Sequence, residues 1–332
     1  MARVFSGVQA TADAPHLGNY IGAFRHWVDL QEGNETYFCI VDLHSMTLPW
    51  DPAVLAQRIR QAAASLIASG IDPSKSTLFV QSEVPEHTEL AWILTCLAKM
   101  GELGRMTQFK DKSSGVQSGS IGAGIFLYPV LMAADVLIHR GELVPVGADQ
   151  RQHLELMRDL AERFNRTFGP TFPIPEPFIA PLGARIMALD DPLRKMDKSS
   201  DRPNNLIWMI DSPDAVRRKI GRAVTDSGAV VEYSPDKPAI SNLLQIYSAV
   251  DGRTIAELEN EFEGSGYGAF KTALAEAINA FLAPFQRTYN EILADLTNLD
   301  RILDEGAESA REGAAKTLSL VRGQIGLRRR LE

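Results

Sequence analysis

From Arg3 to about Phe164, short apolar runs alternate with stretches of helical periodicity, and this alternation constrains the fold more than any other feature of the 332 residues. The first run, Arg3-Val4-Phe5-Ser6-Gly7-Val8-Gln9, passes through a Pro-bearing loop into a helix. That helix opens with His16-Leu17-Gly18-Asn19 and carries Ile21, Phe24, Trp27 and Val28 at helical spacing to a stop at Gly33. Further strands are expected at 36–41, 77–81 and 143–146. The helix between the second and third runs is the best marked: Asp51 caps it, Pro52 takes its first position, Leu55, Ile59, Ala62 and Leu66 share one face, and Gly70 stands just past its end. Helices over 85–101, 126–139 and 147–164 complete the pattern. Elements of these lengths build a parallel sheet from right-handed βαβ units, an α/β fold. Ligands of such sheets gather at the carboxyl ends of the strands, where the next helix begins with unpaired N–H groups, so phosphate at His16–Asn19 is the first expectation.

Beyond the sheet the pattern changes. Residues 172–192 are Pro-rich and place a domain boundary at about 190; residues 194–201 read as a basic, hydroxyl-rich loop. Helices are expected over 214–224, 240–249, 255–262, 267–303 and 308–330. The chain thus divides into an α/β domain, 1–190, and a helical one, with a last segment, about 286–332, able to pack back on the first. Residues 107–124 interrupt the earlier periodicity with Lys110, Asp111, Lys112, Ser113, Ser114 and several glycines, either a solvated connection or a flap over a site. At 45% hydrophobic and 23% charged, with no run near the roughly eighteen apolar residues of a membrane span, the composition is that of a soluble protein. No basic-then-apolar leader opens the chain, so a cytoplasmic protein without membrane attachment is expected. A net charge of -8 argues against non-specific coating of nucleic acid while leaving local basic patches to be weighed. Cys39 and Cys96 lie in apolar contexts without CxxC spacing and read as buried free thiols.

Two glycine-rich stretches, Gly264-Ser265-Gly266-Tyr267-Gly268 and residues 119–124, lack the GxGxxG and Walker spacings and read as turns. His16-Leu17-Gly18-Asn19 has the better context, because polar side chains at both ends of a first helical turn reach phosphate oxygens and Gly18 lets a flat ring approach the backbone. Alone it is equally an ordinary helix cap. Lys195-Met196-Asp197-Lys198-Ser199-Ser200 can set two cations on one polyphosphate, and alone reads as an exposed basic linker. Together, in this order and on these elements, they resemble the paired HIGH and KMSKS signatures of class I aminoacyl-tRNA synthetases. Further segments narrow the resemblance to the tryptophan-specific bacterial branch: Phe5-Ser6-Gly7-Val8-Gln9, Ile40-Val41-Asp42-Leu43-His44, Arg105-Met106-Thr107-Gln108-Phe109-Lys110, Tyr128-Pro129-Val130-Leu131-Met132-Ala133-Ala134-Asp135, Val146-Gly147-Ala148-Asp149-Gln150 and Ala223-Val224-Thr225-Asp226-Ser227.

The resemblance implies a Rossmann-like parallel-sheet catalytic domain followed by an α-helical domain, 191–285, that binds the tRNA anticodon. It implies a homodimer, with L-tryptophan, ATP and tRNA(Trp) as partners and Mg2+ carried in on ATP rather than held by the protein. Lys195, Lys198 and Lys112 are then the cations that work on the triphosphate. ATP would meet Gln9, Ala10, Thr11, His16, Gly18, Asn19, Gly147, Ala148, Asp149 at the ribose, Ile186 through its backbone, and Lys195, Met196, Asp197, Lys198 and Ser199. Tryptophan would meet Phe5, Gly7, Gln9, Val41, His44, Met132, Asp135 and Gln150, with Asp135 accepting the indole N–H and Met132 packing on the ring. The residue chemistry agrees, since a carboxylate on an apolar helix face is costly unless paired; a structural ion pair is the other account of Asp135. Two departures stand out: Asp197 replaces the usual serine and could pair Lys195 or Lys198, and Ala10 replaces a common proline. Arg217, Arg218, Lys219 and Arg222, and Arg328 to Arg330, are equally phosphate contacts or solvated helix ends. The tyrosine-specific sister enzyme, a small-molecule nucleotidyltransferase and a catalytically silent paralogue are the alternatives.

Overall fold

The computed structural model describes residues 1–47, 49–107, 122–147, 150–178, 186–197, 202 and 204–328. Among these residues, strands β1 (Arg3–Val8), β2 (Glu35–Ile40), β3 (Thr77–Val80), β4 (Leu143–Pro145) and β5 (Glu176–Phe178) form one parallel sheet in the order β3-β2-β1-β4-β5. β1 is central. It pairs with β2 from Arg3 opposite Glu35 to Val8 opposite Ile40, and meets β4 at Val4 opposite Leu143. The strand order reverses beside β1, which opens a crevice outside the carboxyl ends of β1 and β4. This is the Rossmann-like α/β topology expected from the alternation. β5 was not legible in the Pro-rich stretch: it is short, sits at the sheet edge and contains Pro177, which an edge tolerates because one side of the strand needs no donor.

The helix behind β1 is not uniform. α1 (Leu17–Asn19) runs into a π-helical turn (Tyr20–Phe24) before α2 (Arg25–Leu30). Such wide turns occur mostly at functional sites, and this one follows His16–Asn19 directly. α3 (Asp42–Ser45) is a single turn after β2. α4 (Pro52–Ala68) starts as its sequence demands, with the Asp51 side chain accepting from Ala53 N at 2.9 Å. α5 (Glu86–Leu97), α6 (Met100–Leu103), α7 (Ala123–Ile138) and α8 (Arg151–Phe168) complete the sheet's cover.

The remainder is helical: α9 (Pro213–Arg222), α10 (Pro238–Asp251), α11 (Ile255–Glu261), α12 (Gly266–Ala294) and α13 (Leu296–Gln324). Gly264, at φ +73°, lies in the turn expected before α12, but Gly266, Tyr267 and Gly268, also read as turn, are the first residues of the helix. The sequence reading of one helix over 267–303 is corrected, because the chain breaks at Asp295. That residue leaves helical geometry at φ -123° and ψ 73°, and its side chain caps α13 from Asn298 N. Apolar periodicity runs on through Ile292, Leu299 and Leu303, so the break has no hydrophobic signal. One buried cluster joins Leu17, Ile21 and Ala64 of the sheet side to Ile278, Leu282 and Phe285 of α12, and Tyr20 stands edge-on to Phe281 at 5.4 Å.

α13 returns to the sheet and lies on the backbone of β3, the edge strand. Gly306 makes the approach possible, since a Cβ there would overlap the Leu78 carbonyl. Arg60 forks onto Asp300 at 2.9 and 2.8 Å, and Arg322 meets Glu89 at 2.7 Å. Covering a sheet edge with a helix also protects it from pairing with other chains. Gly306→Ala should therefore cost more than the ~1–3 kcal/mol usual for overpacking, read as a lowered thermal midpoint or lost soluble yield. Gly313→Ala, on the same helix with its Cβ 3.9 Å from Tyr37 Oη, should be neutral or slightly stabilising.

Candidate active site

At the carboxyl end of β1 the chain crosses to His16, which is buried and accepts from Asn19 N through Nδ1 at 3.2 Å, capping α1. An imidazole that accepts at Nδ1 carries its proton at Nε2, which makes Nε2 a donor. The ring stands edge-on to Trp208 at 6.2 Å. On either side the backbone is tied to the same segment, Leu17 N donating to Ile207 O at 2.8 Å and Met209 N to Pro15 O at 3.0 Å. The lysine-bearing segment is tied in likewise: Met187 and Lys195 form an antiparallel bridge, Met196 N donates to Ile186 O at 3.1 Å, and Asn205 Nδ2 donates to Asp197 O at 3.0 Å. Leu17, Ile186 and Met196 share one buried cluster. A Cβ on Gly18 would lie 3.1 Å from His16 Nδ1 and 3.5 Å from Met196 Cβ. The two signature segments, far apart in sequence, thus meet. Lys195 is exposed.

Beside this junction lies a second polar centre. Gly7 faces Val41 so closely that a Cβ would stand 2.9 Å from Val41 Cγ1. Asp135, in the last turn of α7, is 1% exposed. It sits at the negative end of the helix dipole and out of water, so its charge needs donors. His44 Nε2 lies 2.7 Å from Oδ2, while Gln81 Nε2 at 2.6 Å and His87 Nδ1 at 2.7 Å converge on Oδ1. Burial alone would raise the carboxyl pKa, but the adjacent His44 and His87 rings outweigh it and hold Asp135 well below the usual carboxylate range. Behind His87 stands His139, Nε2 to Nε2 at 3.0 Å, stacked on Tyr37 at 4.8 Å and on Phe5 at 5.7 Å. Gln81, His87 and His139 escaped the sequence reading because each is an unremarkable polar residue there, and only the fold sets them around one carboxylate.

The remaining expected residues are distributed unevenly. Gln9 and Asn19 are exposed at the crevice, and Met132 and Gln150 are half-buried. Thr11 is also half-buried; Gly147 is exposed and accepts from Gln150 N at 3.0 Å. Ala10 buries its methyl in the core with Phe24 and Ile40, so only its backbone can face a ligand. Phe5 is buried and stacked on His139. Lys112, Ala148, Asp149, Lys198 and Ser199 lie outside the described residues. Of the basic cluster, Lys219 is buried on Asp211 at 2.6 Å and Arg217 is shared between Asp214 and Glu276, which leaves Arg218 and Arg222 exposed. Cys39 is buried as expected, but Cys96 is exposed. A cleft between Glu83 and α13 is walled by Asp304, Glu308 and Glu312 and would repel a polyphosphate.

His139 gives the site a pH signature. Burial, and secondarily the His87 ring and Arg3, push its pKa well below the 6.5 of a free imidazole, with Asp135 opposing. Below that value the unfolded chain binds a proton that the folded chain refuses, so stability is full above about pH 6.5 and falls by up to ~1.4 kcal/mol per pH unit beneath it. The thermal midpoint should drop between pH 7 and pH 5, and His139→Gln should flatten that slope.

Comparison with known proteins places this geometry. The family model for tRNA synthetases class I (W and Y) matches residues 1–283. The chain is 52% identical over 325 residues to tryptophan–tRNA ligase 2 of Streptomyces avermitilis, covering 98% of this chain and 96% of that protein. It is 49% identical over 331 residues to tryptophan–tRNA ligase of Bacillus anthracis, covering 99% of both. Among solved structures it is similar to tryptophanyl-tRNA synthetase from Campylobacter jejuni complexed with ADP and tryptophan, at a TM-score of 0.86 and 37% identity over 98% of this chain and all of that one. The enzyme from Mycoplasma pneumoniae gives a TM-score of 0.88 at 34% identity, over 99% of this chain and 98% of that one. With both signature segments assembled at the switch point of a Rossmann-like sheet, the chain belongs to the class I tRNA synthetases of the W and Y family.

Proposed function

We propose that this chain activates L-tryptophan with ATP and transfers it to the 3′ end of tRNA(Trp). The observation that carries the reading is the meeting of His16–Asn19 with Lys195–Asp197 at the carboxyl end of β1, beside a buried carboxylate. The tryptophan carboxylate, already ionised at neutral pH, attacks the α-phosphorus of ATP in line; pyrophosphate leaves, and tryptophanyl-adenylate remains. No general base is needed. Rate comes from positioning and from cations set where charge develops on the leaving group. Lys195, Lys198 and Lys112 supply those charges, with Mg2+ entering on ATP. His16 Nε2–H and the α1 backbone hold phosphate, Gly18 admits the adenosine, Ile186 meets adenine and Asp149 the ribose. Gln9 and Gln150 take the polar end of the amino acid. Asp135 takes the indole N–H, with Met132, His44, Val41 and Gly7 around the ring.

The helices of 191–285 bind the tRNA anticodon, with Arg218 and Arg222 among the exposed cations on α9. The protein works in the cytoplasm; among the described residues no helix is long and apolar enough to cross a membrane. It works as a homodimer through α5 and α6, which expose Trp92 at 68% and Met100 at 74%. Sedimentation should report twice the 36.5 kDa chain mass, and Trp92→Glu should shift it toward one chain.

Exchange of labelled pyrophosphate into ATP, run with each amino acid, tests the activity. Exchange with tryptophan alone is expected; exchange with tyrosine would move the assignment to the sister enzyme, and none would leave a silent paralogue. Lys198→Ala should slow exchange about 10²–10³-fold at saturating substrate. Asp135→Ala should remove the preference for tryptophan over an analogue lacking the ring N–H. Unchanged behaviour in both variants would sink the residue assignment.

A further inference from the structure

A carboxylate has about four lone-pair positions, and the neighbours of Asp135 account for three of them. Oδ1 receives two donors, Gln81 Nε2 at 2.6 Å and His87 Nδ1 at 2.7 Å; Oδ2 receives one, His44 Nε2 at 2.7 Å. Among the described residues, one position on Oδ2 is left. Two of the three donors are themselves fixed from behind. Gln81 Oε1 accepts from Leu43 N at 3.2 Å, which turns the amide so that its NH2 faces Asp135. His87 Nε2 faces His139 Nε2 at 3.0 Å, and His139 Nδ1 is buried with no hydrogen-bond partner. A proton on His139 Nδ1 would therefore be stranded, so His139 carries its proton on Nε2 and donates it to His87. His87 must then accept at Nε2 and hold its own proton on Nδ1, pointing at Asp135. The aromatic packing of His139 between Tyr37, Phe5 and Phe79 keeps the donor aimed.

We propose that His139 and His87 are positioning residues for amino-acid selection: through a fixed pair of tautomers they saturate Asp135 Oδ1 and leave one directed acceptor on Oδ2 for a ring N–H. This rests on the reading of Asp135 as the indole acceptor. Without the His87 donor, Oδ1 regains a lone pair, the carboxylate is held by Gln81 and His44 alone, and its free acceptor position is no longer confined to Oδ2. Selection for the N–H weakens while the apolar fit of the ring is kept. His87 of α5 and His139 at the end of α7 stand behind Asp135, so the direction of its free acceptor is set by residues that make no contact with substrate themselves.

The test compares L-tryptophan with L-3-(benzothiophen-3-yl)alanine, in which sulfur replaces the N–H, by pyrophosphate exchange. The native chain should prefer tryptophan strongly. In His87→Leu the preference should fall about tenfold, through the KM for tryptophan with kcat nearly unchanged and the analogue little affected. His87→Asn, whose amide N–H2 stands where Nδ1–H stood, should restore it. His139→Leu should lower the preference and His139→Gln, which keeps the donor, should not. An unchanged ratio in folded His87→Leu and His139→Leu overturns the proposal, as does a proportional loss for both substrates, which marks a merely structural role. If His87→Leu does not fold, the His139 pair decides. Asp135→Ala separates the two levels: a ratio unchanged there overturns the indole reading itself, whereas a ratio lost there and kept in the histidine variants overturns only the proposal.

Discussion

A negative charge with almost no contact with water is the constraint around which the amino-acid side of this protein is arranged. Asp135 sits in the last turn of α7, where the helix dipole repels it and the apolar core cannot solvate it. It persists as an anion only because α3, the turn after β3 and α5 each deliver a donor to it. Those three deliveries fix the relative placement of four elements more tightly than apolar packing alone, since a hydrogen bond to a charge tolerates little displacement. Asp42 reinforces them one step away, taking Leu43 N, Ser82 N and Ser82 Oγ and so holding the end of β2 against the turn after β3.

The nucleotide side is organised differently. There the two signature segments are joined by buried apolar contact, with Leu17, Ile186 and Met196 beneath and backbone hydrogen bonds at the edges. Lys195 faces outward from that platform. A rigid floor under an exposed cation fixes where its charge stands. The shared cluster also continues into α12, so the helical part of the chain and the two signature segments rest on one piece of core.

Much of this was legible in the sequence. The strand and helix alternation specified the parallel sheet, Asp51-Pro52 and Gly70 marked α4, and two short motifs together specified the synthetase family. The break at Asp295 was not legible, because apolar periodicity runs through it and a side-chain cap is the only signal. β5 was hidden by proline, which is usual at an edge. Lys219 looked like part of a basic surface, yet it is an internal partner of Asp211, a distinction that depends on which helix face packs inward.

The sequence by itself determined the fold class and the family, because those follow from local propensity and from residue types held at fixed spacing. Only the tertiary structure decided that Gln81, His87 and His139 surround Asp135, that the methyl of Ala10 belongs to the core, and that Gly306 is the point where α13 touches β3. These facts depend on contacts between residues distant along the chain, and no local period or motif encodes which of many polar residues, or which glycine, the packing brings to a given point.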